Sequence, residues 1–236
     1  MNNFVLNNWT NEDVNKLDDY LYSIRIEDKI TWGKNIVNTN MDYLAIKLPI
    51  LKSIAKDIYK GDYLSYLDLM PHKYFESCTI DAFLISLIKD FKLQKKYIEK
   101  LSRYIDNWSV VDTLKFNIKN NEDNYIKYAK DLLKSNKPFK RRIGVRIFFS
   151  FVKINKYHND IFSCLDFLKN EEHYYVNMAA AWLLCEMFIH FPDSTFNYLN
   201  KNNTNKFIIN KGISKCRDSF RVTDENKEKL LNYRIK

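Results

Sequence analysis

The residue types that could do chemistry gather in one short run, Ile105-Asp106-Asn107-Trp108-Ser109-Val110-Val111-Asp112-Thr113. Asp106 or Asn107 is a good helix N-cap, which places Trp108 in the first turn. Residues four apart stack on one helix face, so Asp112 follows one turn later and an indole and a carboxylate point the same way. The same spacing also fits a tryptophan that anchors the core beside a solvated or ion-paired carboxylate.

Two further segments could meet this one in space. Pro138-Phe139-Lys140-Arg141-Arg142-Ile143-Gly144-Val145-Arg146 opens a helix on which Arg142 and Arg146 share a face, and arginines at a helix start suit phosphate. An ordinary basic helix face is the alternative. Val176-Asn177-Met178-Ala179-Ala180-Ala181-Trp182-Leu183-Leu184 sets a run of small residues before a tryptophan. Small residues let a neighbouring helix or a ligand approach closely, and a buried indole in a tight hairpin explains them equally well. A basic stretch follows, with Lys206, Lys211, Lys215, Arg217 and Arg221 on or beside one helix. Such charges bind phosphates without base preference or form a solvated face.

The elements that must position these residues read as helices. With 46% apolar residues and 15% aromatics in 236 positions, the chain can bury a full core and is not disordered. Only 4 Gly and 4 Pro punctuate it, and paired turns with alternating Val/Ile/Thr runs are missing, which argues against a sheet protein. The longest apolar stretches, Ile147 to Val152 and Met178 to Leu184, fall far short of the roughly 20 residues a membrane span needs, so no membrane partner is expected. No basic-then-apolar leader opens the chain, and a cytoplasmic, nucleoid-associated bacterial protein is expected. Cys78, Cys164, Cys185 and Cys216 are widely separated and lack CxxC spacing, so they read as buried or incidental thiols. His72, His158, His173 and His190 are equally scattered, and we expect no metal and no cofactor. The net charge of +9 favours an anionic partner, although a lysine-rich composition can also be a genome-wide bias.

Helix starts recur along the chain. Thr10 with Asp13 makes a capping box, Pro49, Pro71 and Pro138 stand where first-turn prolines belong, and Thr223 caps the last segment. Amphipathic runs are expected at 10–24, 27–38, 49–60, 62–70, 72–90, 92–105, 107–119, 121–135, 138–153, 158–169, 172–190, 193–201, 204–219 and 223–234. Very short connections imply antiparallel neighbours. Taken in pairs from residue 62 onward, they recur about every 30–45 residues, the period of HEAT-type hairpins whose apolar faces are buried only by stacking. The expectation is therefore an all-α solenoid of antiparallel helix pairs, HEAT-like or ARM-like, right-handed and curved with a basic concave face. It is read as one domain over 1–236, with N-terminal helices in 1–60 and stacked repeats in 61–236. A compact helical bundle is the rival.

In this order the segments resemble the DNA alkylation repair family, and within it the AlkD-like alkylpurine DNA glycosylases built of HEAT-like repeats. The resemblance runs from about residue 40 to the end. It rests on Trp108 and Asp112 as WxxxD, on Arg142 in the following helix start, on Trp182 in A-x-W-L-L, and on the Asn210-Lys211 helix that ends near Arg217. It implies hydrolytic excision of N3- or N7-alkylated purines from double-stranded DNA by a monomeric, monofunctional DNA glycosylase of base excision repair. The catalytic group would be Asp112, with Trp108 and Trp182 flanking the sugar of the damaged nucleotide. Arg142 would hold backbone phosphate, with Arg141, Arg146, Lys47, Lys211, Lys215 and Arg217 as further DNA contacts.

Three departures stand out. Ala45-Ile46-Lys47-Leu48-Pro49 keeps the proline of the family's G-x-x-(T)-P element and loses its glycine and the polar residue before the proline. Cys185 stands after Trp-Leu-Leu where active relatives carry a basic side chain, and the spacing from Asp112 to Arg142 is short. A non-catalytic DNA-binding paralogue and a protein-binding scaffold therefore stay open beside the glycosylase.

Overall fold

The computed structural model describes residues 4–201 and 205–236. Among them the chain forms fourteen α-helices, four short 3-10 turns and no strand, with one isolated bridge between Asp42 and Tyr74. It divides into two compact units, Met1–Asn117 and Ile118–Lys236. The first holds α1 (Asn11–Ser23), α2 (Ile30–Val37), α3 (Leu48–Lys60), α4 (Tyr63–Asp68), α5 (Phe75–Leu87), α6 (Phe91–Leu101) and α7 (Trp108–Thr113). The second holds α8 (Glu122–Leu133), α9 (Pro138–Phe148), α10 (His158–Phe167), α11 (Tyr174–His190), α12 (Pro192–Leu199), α13 (Lys206–Asp218) and α14 (Asp224–Leu231). The all-α expectation and its helix series hold; position 204, where the thirteenth run was expected to start, lies outside the described residues.

The two units share one plan. In the first, α5 packs against both α3 and α7; in the second, α11 packs against both α9 and α13. Hairpin partners such as α8 for α9 and α14 for α13 close each layer. The centre of each row is a helix that is buried nearly all round: α5 buries Phe75, Ile80, Ala82, Leu84 and Ile85, and α11 buries Val176, Ala179, Ala180, Ala181, Leu183, Leu184, Met187 and Phe188. A helix of this kind is stable only with neighbours on several sides. Close approach is built in by Gly144, where a Cβ would lie 2.9 Å from the Ala129 carbonyl oxygen of α8.

Local signals fix the helix ends. Thr10 and Asp13 form the full capping box of α1, and Asp62, Asp90, Asn107, Asn205 and Thr223 each accept a backbone N–H at a helix start. Pro49 and Pro138 occupy first turns. Pro71 does not: residues 71–74 are non-helical and α5 begins only at Phe75, whose N–H donates to the Asp42 carbonyl (2.9 Å). The run expected over 107–119 also stops early, at Thr113. Lys115 N–H donates to Ser86 Oγ (2.8 Å), and buried Gln94 donates to the Lys115 carbonyl (3.2 Å), so α5 and α6 capture the chain before the helix can continue.

The buried polar residues of α5 tie the first unit together. Ser77 donates to Asp18 of α1 (3.1 Å), and Asp81 lies 3.2 Å from His72, both side chains fully buried. Glu76 accepts from Leu44 N–H at 3.1 and 3.0 Å and from Ile46 N–H at 3.4 Å. Ala45 between them has φ 59°, the left-handed region that favours glycine. Two amides can converge on one carboxylate only because the chain turns left-handed there. The glycine lost from the sequence is thus not lost from the backbone shape. Ala45→Gly should raise the unfolding free energy by about 1 kcal/mol in a urea titration, because the left-handed conformation costs an L-residue about 1–2 kcal/mol.

Burial pushes the Glu76 carboxyl up to about 7 from 4.5, against the pull of the backbone amides. With a folded-state value above the unfolded one, the contribution to stability is complete below about pH 4.5 and is lost as pH rises through about 7. The loss amounts to about 3 kcal/mol in the limit. Unfolding free energies measured from pH 4.5 to 8 should fall in the wild type, and the difference from Glu76→Gln should isolate this component; parallel curves would refute it.

Candidate nucleic-acid interface and its carboxylate

Trp108 opens α7 because Asn107 caps the helix, its Oδ1 accepting Val110 N–H at 3.0 Å. Asp106 does not cap; its carboxylate instead accepts Thr39 Oγ1–H and Asn40 N–H, each at 2.6 Å, and so draws the segment after α2 onto the start of α7. The Trp108 indole N–H then donates to the Ile36 carbonyl in the last turn of α2 at 3.3 Å. Trp108 and Asp112 are both half-buried, whereas Val110 and Val111 between them are fully buried. The indole is therefore held at its edge, and the carboxylate stands one turn along at the margin of the unit rather than in its core. Lys47, the N-cap of α3, is exposed in the same unit.

In the second unit α11 is open to solvent along one stripe of residues four apart, Tyr174, Met178, Trp182, Glu186 and His190, all at least partly exposed. Trp182 is 49% exposed. Lys215 of α13 places its Nζ 4.4 Å from the centre of the indole ring. Burial, together with nearby Lys211, lowers the Lys215 pKa from its ordinary value. A cavity of about 340 Å³ opens beside Trp182, lined among others by Arg146, Phe149, Lys153, Glu186 and His190. Arg146 lies over Phe149, its Cζ 4.4 Å from the ring centre. The structure thus joins Arg146, Trp182 and Lys215, with Lys211 one turn before Lys215 and both Lys211 and Arg217 exposed.

The other two arginines are occupied internally. Arg142 is only 6% exposed and donates through Nη1 to the Tyr175 carbonyl at the start of α11. Arg141 grips Glu171 in two hydrogen bonds, 2.6 and 2.8 Å, and donates to the Ser135 carbonyl at 2.9 Å. Burial works to raise the Glu171 pKa, but Arg141 and the His173 N–H outweigh it and hold it below its ordinary value. Arg221 is likewise spent in a fork on Glu186, at 2.6 and 3.2 Å.

The sequence reading passed over Glu171, Glu186 and the Lys215–Trp182 contact. Cys185 occupies the place where a basic residue was expected, yet positive charge reaches the Trp182 neighbourhood from α13 through Lys215. Only the spacing of Lys211, Lys215 and Trp182 on two helices due to pack together could have signalled it. No group of three or more His, Cys, Asp or Glu is placed to hold a metal ion among the described residues, and no helix there is long and apolar enough to cross a membrane.

The family model for the DNA alkylation repair enzyme matches residues 17–215, a stretch that contains Trp108, Asp112, Arg142, Trp182 and Lys215. No curated protein matched the chain.

The division between occupied and open cations is testable. Arg141→Ala strands the Glu171 carboxylate, whose side chain is 6% exposed, and should cost about 3 kcal/mol of unfolding free energy. Lys211→Ala, an exposed change, should stay within about 0.5 kcal/mol in the same titration. Equal effects would refute the distinction.

Proposed function

Because the chain belongs to the DNA alkylation repair enzyme family, we propose that it excises N3- or N7-alkylated purines from duplex DNA by hydrolysis of the glycosidic bond. The observation that carries this reading is the half-buried Asp112 one helical turn from an indole whose N–H is fixed to the backbone. An alkylated purine already bears positive charge and leaves as a neutral base, so no general acid is required, unlike sugar hydrolysis by paired carboxylates. What remains is the oxocarbenium character that develops on the deoxyribose. Asp112 stabilises that charge and positions the attacking water, and the face of Trp108 adds cation–π attraction.

DNA is held through its phosphates. Exposed Lys47, Lys211 and Arg217 carry that contact, with Arg146 and Lys215 beside Trp182, and it is insensitive to sequence and sensitive to salt. Arg142 and Arg141 enter the reading as the groups that fix the start of α11, and with it the stripe that presents Trp182. No metal or cofactor takes part.

Purified protein incubated with methylated duplex DNA should release 7-methylguanine or 3-methyladenine. Asp112→Asn should reduce release at least about 100-fold, the scale of one lost electrostatic contact to a transition state, with duplex affinity nearly unchanged. Salt-dependent binding without any free base would point to a non-catalytic DNA-binding paralogue. Loss of binding itself would leave a protein-binding scaffold.

A further inference from the structure

The two central helices of the second unit touch most closely at Gly212, where a Cβ would lie 3.2 Å from the Ala181 carbonyl oxygen of α11 and 2.8 Å from Leu184 Cδ2. One turn further along each helix stand Cys185 and Cys216, and their thiols are hydrogen-bonded to one another. Both are free and buried, at 7% and 2% exposure. Scattered in sequence, the two residues are brought together by the parallel course of α11 and α13, with the glycine permitting the approach. Nothing in the excision chemistry uses them.

Their surroundings are unequal. Lys215 precedes Cys216 directly, and Arg221, anchored on Glu186, lies near Cys185. The hydrogen bond from Cys216, helped by these cations against burial and the Glu186 charge, holds the Cys185 thiol below its ordinary pKa. The same contact, together with burial, pushes Cys216 up. Burial alone pushes Cys164 up, and burial with neighbouring carboxylates does so at Cys78, which leaves both as unreactive thiols.

We propose that Cys185 and Cys216 form a reversible redox pair, oxidised by hydrogen peroxide to a disulfide that ties α11 to α13 beneath the Trp182–Lys215 contact. Cys185 as thiolate attacks one peroxide oxygen; the O–O bond breaks, the other oxygen leaves as water after protonation, and Cys185 becomes a sulfenic acid. The Cys216 sulfur then attacks the Cys185 sulfur, the S–O bond breaks, and a second water leaves. Two electrons pass from the sulfurs to the peroxide, so that two thiols and one hydrogen peroxide yield one disulfide and two waters. The cross-link fixes the separation of the helix that carries the indole and the helix that carries the ammonium. It does not depend on the glycosylase reading, since the chemistry is confined to the two thiols.

The test uses the full chain, treated with a small excess of hydrogen peroxide, quenched, denatured and alkylated, then read by intact mass and non-reducing peptide mapping. The expected result is a loss of two hydrogens, a linked peptide containing Cys185 and Cys216, alkylation of Cys78 and Cys164 only, and full reversal by a dithiol. Cys185→Ser should abolish the link and leave three alkylatable thiols. Four alkylatable thiols after treatment, oxygen adducts without a link, or a link through Cys78 or Cys164 would each overturn the proposal. The wild-type map decides it even if the serine variant fails to fold.

Discussion

A helix buried on nearly every side cannot stand at a surface, and each unit of this protein is organised around one. α5 and α11 require neighbours on opposite flanks, and α3 with α7, and α9 with α13, supply them. That requirement makes the rows, and the rows carry every side chain with chemical interest: Lys47 caps α3, Trp108 and Asp112 stand on α7, and Trp182 and Lys215 face each other between α11 and α13. Against such a background an exposed tryptophan is informative. Trp182 is about half open on a helix whose adjacent residues Ala181 and Leu183 are wholly buried.

The polar side chains divide by the same logic. Those of α5 point into the unit and meet Asp18, His72 and the Leu44 and Ile46 amides there, so they specify which segments lie against the central helix. In the second unit Arg141 and Arg142 do comparable work at the entry to α11. A net charge of +9 is therefore a poor guide to the number of cations an anion would meet. Arg141, Arg142 and Arg221 are spent on carboxylates and carbonyls, whereas Arg217, Lys47 and Lys211 remain exposed.

The helix series was legible because its signals are local: caps, first-turn prolines and apolar spacing each act within a few residues. The misreadings have non-local causes. α7 is cut short by Ser86 and Gln94, which lie about 20–30 positions upstream and come near Lys115 only after α5 and α6 fold. Pro71 does not open a helix, and α5 begins only at Phe75, whose N–H donates to the Asp42 carbonyl. At the site, the pairing of Trp108 with Asp112 on one turn follows from spacing alone, but the burial of Arg142 and the seat of Lys215 on Trp182 depend on which helices become neighbours. The four cysteines show the same limit, since separation in sequence says nothing about two parallel helices in contact.

The left-handed residue at position 45 links two positions that look unrelated in sequence. Where glycine occupies such a turn, the residue itself supplies the conformation; here an alanine is held in it by a carboxylate from another helix. A residue other than glycine at 45 is then tolerated only while position 76 keeps an acid able to receive two amides, and a change at 76 would be felt first in the segment leading to Lys47 and α3. Mutational drift at these two sites is not independent, and a double substitution should be milder than the sum of its parts.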